Sequence, residues 1–276
     1  MSRSQHLEFS GLPPISFASA KFEIRELCSV EELIDAYKLR YKVFADLGYL
    51  QHTNNSRLEI DPYDERAVPF GAFDAASGAM VGTIRLITRQ TQTHFSRLVR
   101  CVLDHCQDDG LTAQAQGPRQ NTLPSVVTGR IERALARFNS DGLPVLELSR
   151  TIVDPRLRGS GLARRLMECG IARAAIGGHA LLIGSYLPLH LSMYARYGYV
   201  QLPDTDFERF DSVGQVAIAG VCRTDRLPEP TKSNVDELLR AGGAKLADHA
   251  NRGGSHTGFQ GIPGMTPGVT GGLSLK

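Results

Sequence analysis

Apolar and polar residues change their period several times along the chain, and each change marks an element. Phe22 and Ile24 flank Glu23 in a short strand-like run. Val30, Leu33, Tyr37, Phe44 and Leu47 then recur at helical spacing, with Ser29 at the cap and Glu32 three residues later completing a capping box. Phe70 to Asp74 and Met80 to Thr88, parted by Ala75-Ala76-Ser77-Gly78, predict a β-hairpin. From Gln90 to Leu123 the pattern is polar and irregular apart from Leu98 to Leu103, which predicts an insertion or mobile flap. Val127, Ile131, Leu135 and Phe138 predict a second helix, closed by Asn139 to Gly142.

The most informative stretch is Val145 to Leu166. Leu146, Leu148 and Ile152 alternate with Glu147, Ser149 and Thr151, the period of a strand with one apolar face and one polar face. Asp154-Pro155 ends the strand, Arg156 to Gly161 form a loop, and Leu162, Leu166 and Gly170 return at helical spacing. Ala180 to Gly184 read as an apolar strand, Pro188 opens a short helix reaching Arg196, and Val213 to Cys222 read as a late strand. Leu227 to Pro230 form a linker, and Ser233 caps a helix running to about Ala250. The alternation of strands and helices predicts an α/β chain with a mixed central sheet flanked by helices. The expected division is an arm over 1–20, a domain over 21–226, a C-terminal helix over 227–250 and a disordered Gly- and Pro-rich tail over 251–276.

Composition narrows the class. With 31 basic and 29 acidic residues the net charge is +2, which gives no electrostatic case for nucleic acid, so any anion site must be local. No apolar run is long enough for a transmembrane segment and no signal-peptide pattern opens the chain, so a cytoplasmic location is expected. Five cysteines, an odd number, do not form a disulfide framework. Cys101, His105 and Cys106 lie close together, but no second ligand pair follows, so they read as ordinary helix residues and no metal is expected.

Four stretches carry candidate chemistry. Gly159 and Gly161 let backbone approach a ligand at a helix start, and Arg156 and Arg158 flank them, as a phosphate ester requires. The same loop is also what a plain strand-to-helix connection looks like. Glu147 lies on the polar face and points toward a site. Arg40, judged from its helix alone, is a solvated charge. Asp61 and Asp64 could both accept from one cation, although surface turns share this spacing, and Arg85 in mid-strand needs such a partner.

Spelled out, Val153-x-Pro155 followed by Arg156-x-x-Gly159-Ser160-Gly161 resembles the donor loop of the GCN5-related N-acyltransferases (GNAT), and the helix ending Tyr194-x-x-x-Gly198-Tyr199 resembles a second signature of that superfamily. The resemblance implies a GNAT fold. It also implies donor binding by Val153, Arg156, Arg158, Gly159, Ser160 and Gly161, with Tyr194 protonating the leaving thiolate and Glu147 deprotonating the amine directly or through water. A narrower likeness, over roughly residues 22 to 222, is to the long-chain N-acyl amino acid synthases and acyl-homoserine-lactone synthases. It rests on Leu39-Arg40 to Phe44, Asp61-Pro-Tyr-Asp64, Gly82 to Leu86 and Glu147-Leu-Ser149-Arg150. That likeness implies a network of Arg40, Phe44, Asp61, Asp64, Arg85, Ser149 and Arg150 beside the amine site. By strand period Arg150 points opposite Glu147, unless a β-bulge intervenes. The implied reaction joins a long-chain acyl group, from acyl-CoA or an acyl carrier protein, to the amine of an amino acid or similar small molecule, with no permanently bound cofactor. Residues 90–123 and the helix from Val127 to Phe138 are expected to line the acyl tunnel. The alternative is a conventional acetyl-CoA-dependent N-acetyltransferase of a small-molecule or protein amine. A ligand-binding regulator on a decayed fold is disfavoured by retention of Glu147, Tyr194 and both loop glycines.

Overall fold

Alternating strands satisfy their backbone groups by pairing on both edges, and here they pair in nearly sequential order. The computed structural model describes residues 16–50, 53–88, 95–106, 129–210 and 215–252. The strands are β1 (Ser16–Ala18), β2 (Phe22–Glu26), β3 (Ala67–Asp74), β4 (Met80–Ile87), β5 (Val145–Val153), β6 (Leu181–Tyr186), β7 (Val200–Gln201), β8 (Glu208–Phe210) and β9 (Gln215–Arg223). Their order is β1-β2-β3-β4-β5-β6-β9-β7, with β8 beside β9. β5 and β6 run parallel, and the other described pairs are antiparallel. The helices are α1 (Val30–Leu47), α2 (Phe95–Cys106), α3 (Gly129–Phe138), α4 (Leu162–Ile176), α5 (Leu191–Ala195) and α6 (Thr231–Arg252). The mixed sheet flanked by helices agrees with the reading of the sequence.

Local chemistry explains the element ends. The Ser29 side chain accepts from the Glu32 amide, and Gly48 closes α1 in the left-handed region at φ 70°. The expected capping box is shifted by one residue: the Glu32 carboxylate accepts from the Cys28 amide at 2.8 Å and pairs with Arg25. At α6 the cap differs from expectation. The helix begins two residues before Ser233, and Glu229 takes the capping part, accepting from the Ser233 amide at 3.3 Å and its hydroxyl at 2.6 Å.

Two segments depart from the sequence reading. Ser16–Ala18, inside the expected arm, pairs with β2. Phe95–Cys106, inside the expected irregular stretch, is a helix that buries Phe95, Val99 and Val102. The rest of that stretch, residues 89–94 and 107–128 (Val127 included), and the tail from 253 lie outside the described residues, as do residues 1–15.

The sheet separates two layers. Helix α4 packs on one face against Ile84, Leu86, Leu146 and Leu148. A Cβ at Gly170 would come within 2.7 Å of Leu148 Cδ1, so glycine sets how closely α4 approaches β5. On the other face α1 and α2 share one apolar cluster with Leu58 and Ile60. There α3 buries Ile131, Ala134 and Leu135 against Val145, Leu181 and Ile183.

Candidate active site

Strand β5 organises the site through one irregularity. Thr83 of β4 pairs with Ile152 and Arg85 pairs with Ser149, so Arg150 and Thr151 together oppose the single residue Ile84. This is a β-bulge, and Arg150 takes the left-handed conformation at φ 54° within it. The extra residue shifts the face of everything beyond it. Leu146 and Leu148 face α4, whereas Ile152 packs against Leu39, Val43 and Phe44 of α1, contrary to the single apolar face expected from alternation. Arg150 therefore lies on the α1 side with Ser149, not opposite the polar face as an unbroken strand would place it.

On that side six charged groups close a ring. Arg40 holds Asp64 through two hydrogen bonds of 2.8 and 3.1 Å and also binds Glu59. Glu59 accepts from Arg150 at 3.1 Å, and Arg150 reaches Asp61 at 2.9 Å. Asp61 takes a bidentate grip from Arg85 at 2.8 and 2.6 Å, and Arg85 returns to Asp64 at 2.7 Å. Three guanidiniums thus alternate with three carboxylates, and the ring is neutral. Such pairing is what makes burial tolerable, since Arg40, Arg85 and Asp64 are all under 5% exposed. Burial alone would raise the Asp61 carboxyl, but the neighbouring Arg85 and Arg150 outweigh it and hold the group well below the ordinary carboxylate range. Ser149 accepts from Arg85 Nε at 3.1 Å, and Phe44 lies 5.3 Å from the Arg150 guanidinium. All seven residues expected in this network come together. Glu59 completes it and was missed, although it sits two residues from Asp61 in an extended stretch, the spacing that puts both on one side.

The loop from Arg156 to Gly161 bounds a cavity of about 1280 Å³. Val153, Arg158, Gly159, Ser160 and Gly161 line it, as do Thr151 and Tyr194. Gly161 stands at the start of α4 with φ 83° and has no side chain to cap it, while the Ser160 hydroxyl accepts from the Leu162 amide at 3.3 Å. Arg156 does not line the cavity: its side chain is folded onto Asp154, with Nε and Nη2 bonds of 2.9 and 2.8 Å, and these hold Asp154 down at about 2. The cavity opens where the sheet splays, because the β5–β6 ladder ends at Glu147 and Ile183. Beyond that point β5 has no strand partner on its β6 side among the described residues.

Tyr194 stacks on Tyr186 at 4.5 Å and meets Tyr199 edge-on at 5.5 Å. Burial pushes its phenol up to about 12, against a hydrogen bond with Thr151, so it carries its proton at neutral pH. His190, also on the wall, is lowered by burial and then by Arg158, which favours the neutral ring. Glu147 is fully buried and does not line the cavity. Burial, and then charges that include Glu147, push the Tyr63 and Tyr199 hydroxyls upward.

The apolar wall also differs from expectation. Val43, Phe44, Leu47 and Tyr49, at and beyond the end of α1, line the cavity with Ile152, whereas α3 spends its apolar stripe on the sheet. Cys101, His105 and Cys106 lie on α2, and among the described residues no His, Cys, Asp and Glu group could hold a metal. No described helix is long and apolar enough to cross a membrane.

Residues 39–168 match the family model of the acetyltransferase (GNAT) domain. Similar solved structures include FeeM, an N-acyl amino acid synthase from uncultured soil microbes, at 18% identity over 78% of this chain and 93% of that one, with a TM-score of 0.50. BjaI, a CoA-dependent acyl-homoserine lactone synthase, is 17% identical over 84% of this chain and 90% of that one, with a TM-score of 0.47. Escherichia coli ElaA is 14% identical over 73% of this chain and 99% of that one, with a TM-score of 0.45. At 18% identity the likeness to FeeM is one of fold. No curated protein matches the sequence.

Proposed function

We propose, from the premise that the chain carries a GNAT acyltransferase domain, that it transfers a long-chain fatty acyl group from a thioester to the amine of an amino acid or similar small molecule. The carrying observation is the single cavity shared by Arg158 to Gly161, the start of α4, Thr151 and Tyr194 at the sheet splay. Backbone N–H groups at a helix start favour a phosphate by about 0.3–1 kcal/mol from the dipole alone. That fits the phosphate of a pantetheine arm, carried by coenzyme A or by an acyl carrier protein. The thioester then reaches Tyr194.

In the proposed reaction the amine nitrogen attacks the thioester carbonyl, the C–S bond breaks, and the Tyr194 phenol gives its proton to the departing thiolate. The proton lost by the amine passes to Glu147. Since that side chain is off the cavity wall, a water molecule relays it. The products are an amide and a free thiol, and solvent exchange restores Tyr194 and Glu147. Chain-length preference follows from Val43, Phe44, Leu47, Tyr49 and Ile152, because each methylene buried there adds about 0.8 kcal/mol. The neutral ring beneath Phe44 holds α1, β4 and β5 in register beside the amine position.

The test offers acetyl, octanoyl and palmitoyl thioesters, on coenzyme A and on acyl carrier protein, against a pool of amino acids, with products read by mass spectrometry. Long-chain N-acyl amino acids are expected. A clear preference for acetyl-CoA overturns the reading in favour of a conventional N-acetyltransferase.

A further inference from the structure

The segment after β9 lies outside residues 39–168, which match the family model, yet it lines the cavity. Pro228, Glu229, Pro230 and Thr231 line it together with Arg158, Arg164 and Arg196. Both neighbours hold this segment in place. The Thr231 hydroxyl, 2% exposed, donates to the Arg196 carbonyl at 2.8 Å, and a Cβ at Gly198 would come within 3.0 Å of Pro228 Cδ. Asn234 donates at 2.7 Å to Glu168 of α4, a fully buried carboxylate that also accepts from Arg165 at 2.9 Å and lies 3.9 Å from Arg164. Val235 and Leu238 belong to the main core. The start of α6 is therefore built into the domain between the first turns of α4 and the end of α5.

Resting on the reading of this cavity as the donor site, we propose that Pro228 to Thr231 form the outer wall of its nucleotide half. The donor that fits is then coenzyme A rather than a carrier protein. Charge supports the assignment. Arg158, Arg164 and Arg196 are three cations on the lining, against which Glu229 is the one carboxylate among the described lining residues. A carrier-borne arm brings one phosphodiester, whereas coenzyme A has a pyrophosphate in its place and adds a 3′-phosphate, three phosphates that three guanidiniums can match. The α6 start is not itself an anion site, since Glu229 already caps it through Ser233. Glu229 instead places a like charge beside the nucleotide phosphates and limits their binding.

Calorimetry with adenosine 3′,5′-bisphosphate and with 4′-phosphopantetheine separates the nucleotide end from the shared arm. Glu229→Gln keeps the acceptor for Ser233 and removes one charge. It should tighten the bisphosphate about threefold while changing 4′-phosphopantetheine by less than about twofold, the scale of a partly exposed charge contact. Thr231→Val with Asn234→Leu, which frees the segment from α4 and α5, should weaken the bisphosphate about tenfold. Should that pair fail to fold, Glu229→Gln decides alone. Equal effects on both ligands, no effect on either, or a native chain that binds 4′-phosphopantetheine but not the bisphosphate, overturn the proposed wall. A native chain that binds neither ligand nor any acyl thioester overturns the donor reading instead.

Discussion

Replacing Arg85 by Met tests the charge ring at its most buried member. The side chain is 1% exposed and binds Asp61, Asp64 and Ser149, so its loss leaves the ring with two guanidiniums and three carboxylates. Breaking a buried pair from one side costs about 3–5 kcal/mol, because the partner charge stays behind uncompensated. At roughly 2–4 °C per kcal/mol for a domain of this size, the melting temperature should fall by about 10 °C. Neutrality makes a sharper claim. Asp61→Asn added to Arg85→Met leaves Arg150, Glu59, Arg40 and Asp64 as an unbroken alternating chain with no net charge. The double variant should therefore be less destabilised than the sum of the singles by about 2 kcal/mol, measured as a cycle in urea unfolding. The pH dependence has a definite sign. Burial would raise Asp61 and Asp64, yet the guanidiniums outweigh it and depress both. Depressed carboxyls contribute stability that is present above about pH 4 and lost as the pH falls. The Arg85→Met deficit should be full at pH 7 and shrink below pH about 4. Additive losses in the cycle, or a deficit that stays constant into acid, would refute the ring as an energetic unit.

Tyr194→Phe should lower kcat by about 100-fold with little change in KM, as expected for a lost general acid. Because its phenol titrates at about 12, the native pH–rate profile should show no loss from this group between neutral pH and mild base. Glu147→Gln keeps the shape of a fully buried side chain, so turnover should fall while the melting temperature holds; near-normal activity across pH removes Glu147 from the mechanism. Gly161→Val forces a branched residue into φ 83°, a strain of about 1–2 kcal/mol, and should weaken acetyl and palmitoyl donors alike in calorimetric titration. Selective loss of one donor would show that the loop reads the acyl group rather than a shared phosphate.

Much of the molecule was legible in its one-dimensional pattern. Helical spacing from Val30 to Leu47, the hairpin about Ser77-Gly78 and the strand–loop–helix from Val145 onward all rest on local periodicity and backbone preference, which neighbouring residues carry by themselves. The need of Arg85 for a carboxylate partner was equally plain, because a strand cation has few other outcomes. Helix α2 could have been found from Phe95, Val99, Val102 and Cys106 at helical spacing, but its polar surroundings obscured the stripe. What sequence did not carry depended on relations between distant segments. The bulge at Arg150 arises from pairing against β4, and one added residue there turned Ile152 toward α1 and Arg150 into the ring. Arg156 was lost to Asp154, a competition that no motif expresses. The apolar wall came from the end of α1 instead of α3, because α3 had a sheet face to cover. Pro228 to Thr231 reached the cavity because α6 buries Val235 and Leu238 in the core and bonds to Glu168. Periodicity specifies which face of an element is apolar; which partner covers that face is decided only when the layers pack, since burial is shared between residues far apart in the chain.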